Sequence, residues 1–377
     1  MARIVWVTNV VTAYRAPVYA ALARRWPGFV MLVEQEGAER IDAAAGAELG
    51  AIPVRRVRHL VIPRERTHPD GFRERVPVHL PYTTLAQLVL LGPRVVLSNE
   101  LGLRTLWAVV YRVLFRRRLV VHVDVSDHTE KGRGRARHLL RELLLRGVDR
   151  VIVNGEGGRR YMRSAHPWYT AVDAVPYTSD VEALLALPRE PRAPTPAEWR
   201  LVYVGRLIPL KGLGEFIGFL GELLVTRPEV RATLTLIGDG PLREELERQP
   251  LPRNLRLNFV GRVPHAALGQ ELVEQDVFVL PTLSDTWGTV VNEAMAAGLP
   301  VLGSVRSQAV EELVEEGVSG WRFDPLDPAS VRGALARCWE DRARSAGMGE
   351  AARETARRLS PAEVAARIDA VVNRLGE

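Results

Sequence analysis

The chain is poor in thiols and in lysine. A single cysteine, Cys338, stands among 377 residues, which excludes an intrachain disulfide and a thiolate cluster and favours a reducing compartment. Cys338 is expected to pack in a core. All but two of the 51 basic residues are arginine, the exceptions being Lys131 and Lys211. No apolar run reaches the roughly 18–20 residues needed to cross a bilayer. The opening Ile4-Val5-Trp6-Val7 is too short, and too soon polar, for a signal peptide. The expectation is a cytoplasmic protein, with peripheral contact at the inner face of a membrane. The zincin motif, the nucleophile elbow, the Walker A loop and an Asp-x-Asp pair for a metal-bound diphosphate are all missing, so no metal site and no lone Ser or His catalysis is expected. Gly212, Gly214 and Gly218 do not have the dinucleotide spacing.

Hydrophobic residues make up 47% and charged residues 25%, the mixture of an ordinary globular chain, and the length suggests two domains of about 150–200 residues. The net charge of +6 is compatible with anionic ligands or surfaces, but opposite charges are interleaved rather than gathered in a tail, and no nucleic acid is expected. Short β-branched runs alternate with helical patterns throughout, the rhythm of βαβ units, so the fold class is α/β. The pattern predicts strands at Arg3 to Val7, Phe29 to Val33, Val95 to Ser98, Leu119 to Val123 and Arg150 to Val153. It restarts at Leu201 to Val204, Thr233 to Ile237, Leu255 to Phe259, Val277 to Leu280 and Pro300 to Gly303. Between the halves, Pro188, Pro191, Pro194 and Pro196 support neither helix nor central strand. The expected organisation is a domain over 1–187, a linker over 188–199, a second domain over 200–357 and a terminal helix over 358–377 packing back on the first. Ligands of open parallel sheets bind beyond the carboxyl ends of the strands, and two such halves imply a cleft.

Three loops there carry chemistry. Gly205-Arg206-Leu207-Ile208-Pro209-Leu210-Lys211-Gly212 lies between a strand and a helix beginning near Leu213. Arg206 offers a planar fork, Lys211 a compact charge and the helix N–H donors, a set suited to a diphosphate. Ile237-Gly238-Asp239-Gly240-Pro241 is a tight turn whose glycines let backbone approach a ligand. Ser284 to Pro300 runs through Asp285, Thr286, Trp287, Gly288, Thr289 and Val290 into a short helix carrying Glu293, stopped by Gly298 and Pro300. Glu293 is bordered by Val290, Val291, Ala294 and Met295, and burying its carboxylate requires hydrogen-bond donors such as ribose hydroxyls. Lys131 sits in a polar stretch that reads as a surface loop.

These motifs, in this order and with Gly317-Val318-Ser319-Gly320 after them, resemble the family-4 retaining glycosyltransferases of the GT-B fold, two Rossmann-like domains facing across a cleft. The resemblance implies that Arg206 and Lys211 hold the donor diphosphate and Glu293 the ribose. It implies that Asp285 and the amides of Trp287 to Val290 face the transferred sugar and the phosphates, with Gly205, Gly238 and Val263 also at the donor. The family usually has Glu where this chain has Asp285, one methylene shorter. In the first half, Tyr14-Arg15-Ala16-Pro17 resembles a first loop of some members, placing Asn9, Thr12 and Arg15 on the acceptor side. His122 and Asp124 end a strand where members often carry a residue near the sugar, with Asp127, His128 and Glu100 as competing candidates.

The implied activity is metal-independent transfer, with retention, of a sugar from a UDP-sugar or GDP-sugar to a hydroxyl of a glycan, lipid-linked or small-molecule acceptor. It would serve cell-surface glycan, glycolipid or secondary-metabolite synthesis and needs no cofactor. The rivals are an epimerase, hydrolase or phosphorylase of the same fold, and a non-catalytic basic surface-binding protein. A phosphorylase would need a lysine for pyridoxal phosphate besides Lys211. Arg55, Arg56, Arg58, Arg64 and Arg66 around Leu60, Val61 and Ile62 read as a face for an anionic acceptor or membrane.

Overall fold

The computed structural model describes residues 4–34, 49–50, 52–63, 65–67, 73–75, 78–130, 134–188 and 197–375. The chain divides into two units, Met1–Ser179 with Pro361–Glu377, and Asp180–Ser360. Lys131, Arg64 and most of the proline-rich stretch lie outside the described residues.

The first unit is built on strands β1 (Ile4–Thr8), β2 (Val30–Val33), β3 (Val54–Arg56), β8 (Val95–Asn99), β9 (Arg118–Val123), β10 (Arg150–Val153) and β11 (Val172–Ala174). They form one parallel sheet in the order β11-β10-β9-β8-β1-β2-β3. Two small antiparallel pairs accompany it, β4 (Leu60–Ile62) with β7 (Val78–Leu80) and β5 (Glu65–Thr67) with β6 (Arg73–Arg75). Parallel strands covered on both faces are apolar at successive positions, and the side chains divide with period two. Trp6, Met31, Val33, Leu97, Val120 and Ile152 enter one core with the helices Ala16–Arg25 and Pro361–Asn373. Val5, Val7, Val96, Val121 and Val151 enter the other with the helices Thr84–Leu91, Leu103–Phe115 and Arg135–Leu145. The last helix of the chain is tied to the first core by the Trp26 indole, which donates to Asp369 Oδ1 at 2.6 Å.

The second unit carries β12 (Glu198–Val204), β13 (Arg231–Ile237), β14 (Leu255–Gly261), β15 (Val277–Leu280), β16 (Val301–Ser304) and β17 (Gly320–Phe323). These are parallel in the order β14-β13-β12-β15-β16-β17. The chain winds outward from β12 to β14 and returns to β15 on the other side of β12. The loops after β12 and β15 therefore flank the topological switch point, where open sheets bind ligands. Cys338 is fully buried.

Three boundaries differ from the expectations. The helix Val181–Leu185 counts with the second unit, so the division falls at 179/180 rather than after 187. β12 begins at Glu198, because Trp199 is buried against Trp339, and two residues assigned to the linker are strand. At the other end the division falls at 360/361, after the helix Ser345–Arg357. The edge strands β3, β11 and β17 were not anticipated, being only three or four residues long.

A buried ion pair fastens the carboxyl edge of the first sheet. Arg104 donates from Nε to Glu34 Oε1 at 2.6 Å and from Nη2 to Oε2 at 2.8 Å, with Nη1 on the Asn99 carbonyl at 3.2 Å. Removing one partner leaves the other charge buried, so Glu34→Gln should destabilise the first unit by roughly 3–5 kcal/mol. The double variant Glu34→Leu/Arg104→Met should recover much of that in urea unfolding; a single variant within about 1 kcal/mol of wild type would refute the assignment.

Candidate active site

At the carboxyl edge of the second unit, close backbone packing dictates glycine. Gly238 has φ of 135°, and a Cβ there would lie 1.9 Å from the Gly205 carbonyl oxygen. Gly288 has φ of 94°, and a Cβ would lie 2.7 Å from Ser307 Oγ. Few other residues adopt such φ values. The turns interlock through backbone bonds: Gly205 N–H to the Ile237 carbonyl at 2.9 Å, Leu207 N–H to the Asp239 carbonyl at 3.0 Å, and Leu283 N–H to the Leu210 carbonyl at 2.9 Å.

Charged groups stand on this frame. Lys211, in a short 3₁₀ turn closed by Gly212, places Nζ 2.5 Å from Asp285 Oδ2, joining the loop after β12 to the loop after β15. Asp285 is fixed from behind, since its N–H bonds the Arg306 carbonyl at 3.0 Å. Arg206 is exposed, and its carbonyl accepts the Tyr203 hydroxyl at 2.9 Å. The Tyr203 pKa is raised, by burial first and by the Asp285 charge second, so that hydroxyl remains a donor. The helix Thr289–Ala296 starts at Gly288 with no side-chain cap, which leaves its positive end toward the loops. Glu293 is buried, and His265 Nε2 lies 3.1 Å from its Oε1. The segment is held by the Trp287 indole on Asn292 Oδ1 at 2.9 Å, Ser307 Oγ on the Trp287 carbonyl at 2.5 Å, and Gln308 Nε2 on the Thr286 carbonyl at 2.6 Å. Val263 is half-buried in the loop after β14, two residues before His265.

In the first unit, Arg15 and His122 meet, with Nη2 3.4 Å from Nδ1. The Arg15 guanidinium lies over the Tyr177 ring at 4.1 Å. Asp124 Oδ1 is 3.8 Å from His122 Nδ1. Burial, then the Arg15 charge, lower the His122 pKa to about 4 against the pull of Asp124, so the imidazole is neutral at physiological pH. Trp6, Tyr19, His122 and Tyr177 line one cavity with Arg15. Beside it, Trp6 Nε1 donates to Asn99 Oδ1 at 2.8 Å and Asn99 Nδ2 to Thr8 Oγ1 at 2.9 Å. Glu100, with φ of 73°, bonds its N–H to the His122 carbonyl at 2.8 Å; a left-handed non-glycine residue stores strain. Asn9 turns back on itself, its Oδ1 accepting the Val10 N–H at 2.9 Å, and Thr12 accepts the Arg15 and Ala16 N–H groups on its carbonyl. Asp127 is drawn to Arg160 at 3.4 Å.

The second unit thus brings Gly205, Arg206, Lys211, Gly238, Asp285, Thr286, Trp287, Gly288, Thr289, Val290 and Glu293 to one sheet edge. Arg15, His122 and Asp124 gather in the first unit. Sequence reading missed His265, Tyr203 and Ser307. His265 was the most accessible of these, as the first residue of a helix after a strand.

Residues 198–341 match the family model of the glycosyl transferases group 1. Over this stretch the chain resembles the group 1 glycosyltransferases. Its segment is 34% identical over 157 residues to sulfoquinovosyl transferase SQD2 of Arabidopsis thaliana, covering 41% of this chain and 29% of that protein. A longer match, 26% identical over 285 residues, joins it to D-inositol 3-phosphate glycosyltransferase of Corynebacterium kroppenstedtii, covering 70% and 62% of the two chains. The chain therefore spans less than two thirds of the length of these relatives. Among solved structures, HepE of Anabaena in complex with UDP superposes with a TM-score of 0.74 at 17% identity, covering 99% of this chain and all of that one. Sucrose-phosphate synthase from Thermosynechococcus elongatus does so with a TM-score of 0.72, also at 17% identity, over 99% of each. The fold is GT-B, as the motifs implied.

The depressed His122 pKa has a sign that can be tested. Unfolded imidazole binds a proton near 6.5 and the buried one near 4. The unfolded state thus takes up the extra proton between these values, and the first unit loses stability as pH falls from about 6.5 to about 4. His122→Gln should flatten that slope in denaturation measured at several pH values. An equal slope in both proteins would place the titration elsewhere.

Proposed function

We propose that this glycosyltransferase moves a sugar from a UDP-sugar or GDP-sugar to an acceptor hydroxyl, with retention at the anomeric carbon and without a metal. The observation that carries the reading is the Lys211–Asp285 bridge between the loops after β12 and β15, with Arg206 on the first of these loops and an uncapped helix start after the second. An ammonium has three donors, so Lys211 can hold Asp285 and still donate to a phosphate oxygen. Arg206, Lys211 and the amides of Thr289 and Val290 would stabilise charge developing on the departing diphosphate, as preorganised electrostatic catalysis. Glu293, buried and oriented by His265, would accept the ribose hydroxyls, and Asp285 would face the sugar. The UDP complex of HepE supports a uridine donor. Arg15, His122 and Asp124 would serve the acceptor side, the neutral imidazole accepting or relaying a proton.

Calorimetry in chelator should register UDP or GDP binding, and binding of neither, or only with magnesium, would reject the assignment. Lys211→Ala and Glu293→Ala should each lower kcat/KM about 10- to 150-fold, the equivalent of roughly 1.5–3 kcal/mol. Melting temperature, measured alongside, should fall for Lys211→Ala, which strands the Asp285 carboxylate, while the variant remains folded.

We also infer peripheral contact with an anionic membrane through the first unit. The helix Leu103–Phe115 ends on Val113, Leu114 and Phe115, exposed to 60%, 65% and 43%, and Leu90 of the neighbouring helix is exposed to 75%. Arg116 and Arg118 follow, both exposed. From Leu80 to Val123 the only carboxylate is Glu100, against six arginines. Apolar tips among cations suit insertion beneath anionic head groups. Leu60, Val61 and Ile62 of β4 are exposed as well. Flotation should recover the protein with anionic vesicles at low salt, less with neutral ones, and the recovery should fall for Leu114→Ser/Phe115→Ser. Equal recovery on both vesicle types would end the idea.

A further inference from the structure

Two helices of the first unit bring together three side chains that the proposed transfer does not use. His138 and Glu142 stand four residues apart on one face of the helix Arg135–Leu145. His166 caps the end of the helix Glu156–Ala165. The two imidazoles stack with centroids 4.9 Å apart and planes 10° from parallel. Both turn a nitrogen to the same carboxylate oxygen: His138 Nε2 lies 3.7 Å from Glu142 Oε1, and His166 Nδ1 is hydrogen-bonded to it.

We propose that His138, Glu142 and His166 form a binding site for a divalent first-row transition ion of the zinc type. Two imidazoles and one carboxylate suit such ions rather than magnesium or calcium. The three ligand atoms all lie within 4.8 Å of one another. A tetrahedral ion with bonds near 2.1 Å requires about 3.4 Å between ligand atoms, so closure needs only a small contraction, which half-exposed His138 can supply. The carboxylate is already oriented, because the Trp168 indole donates to Glu142 Oε2 at 2.6 Å and turns Oε1 to the imidazoles, the role of an outer partner at metal sites. His166 is fully buried, its Nε2 enclosed, with Tyr161 at its edge, so Nδ1 is the nitrogen that faces the ion. The fourth position, on the exposed side of His138, is left to water. The bound ion would clamp the end of one helix to the face of the other. It takes no part in the donor chemistry, whose groups belong to the other unit.

The test uses the full chain, stripped with chelator and titrated with zinc chloride by calorimetry. One equivalent should bind, with a rise in melting temperature reversed by chelator, and cobalt should give a visible absorption band. His138→Ala, at an exposed position, should weaken zinc binding at least tenfold without lowering the melting temperature of the stripped protein. Glu142→Gln should do the same for affinity. Magnesium at millimolar concentration should not compete. The proposal is overturned if stripped wild type binds no zinc, or binds it as tightly in the His138→Ala/Glu142→Gln double variant. The latter result would point to the His59 and His79 pair, whose rings lie 4.9 Å apart. Nucleotide binding, followed in parallel, should be the same in all variants, so failure here and failure of the transferase reading are separable.

Discussion

The pairing of Lys211 with Asp285 is the constraint on which the donor edge depends. It bridges two loops that leave neighbouring strands on either side of the switch point, and each partner is held by its own backbone anchor. Two opposite charges at 2.5 Å in a partly desolvated edge attract strongly, and a loop that loses its partner is left with a charge in poor solvent. The glycines serve the same end by different means. With no side chain at Gly238, the turn after β13 lies directly on the turn after β12, so Arg206 is presented from a stacked pair of loops rather than from one strap.

The first unit shows the complementary arrangement. Its carboxyl edge is organised by buried polar groups rather than by interlocked backbone: Arg104 with Glu34, Trp6 with Asn99, and Arg15 with His122. Burial, and then the neighbouring Arg15, keep the His122 imidazole neutral, and the strained Glu100 backbone holds the strand end that presents it. Such networks specify one geometry only while every member is satisfied.

Local features were legible in the sequence. The glycine turns, Lys211 in a chain of arginines, and Glu293 among apolar neighbours announce themselves within a few residues, because φ requirements and helix periodicity are local. What escaped depends on distant partners. His265 acquires meaning only through Glu293, 28 residues on, and Asp285 lies 74 residues from the lysine it meets. Motif order supplied that relation only as a resemblance. Proline density marked the passage between the units, yet Trp199 was misplaced because its burial against Trp339 is a tertiary fact. The short edge strands carry too few residues for a period to register.

The chain passes from the first unit to the second once after Ser179 and returns once before Pro361. The first core is thus assembled from two separated stretches, with Val364, Ile368, Val371 and Val372 supplied last. On a ribosome, the second unit, being continuous, can close while the first still lacks one wall of its core. That wall arrives only after the second unit has been made, so the order of synthesis is the reverse of the order in which the two units reach completion.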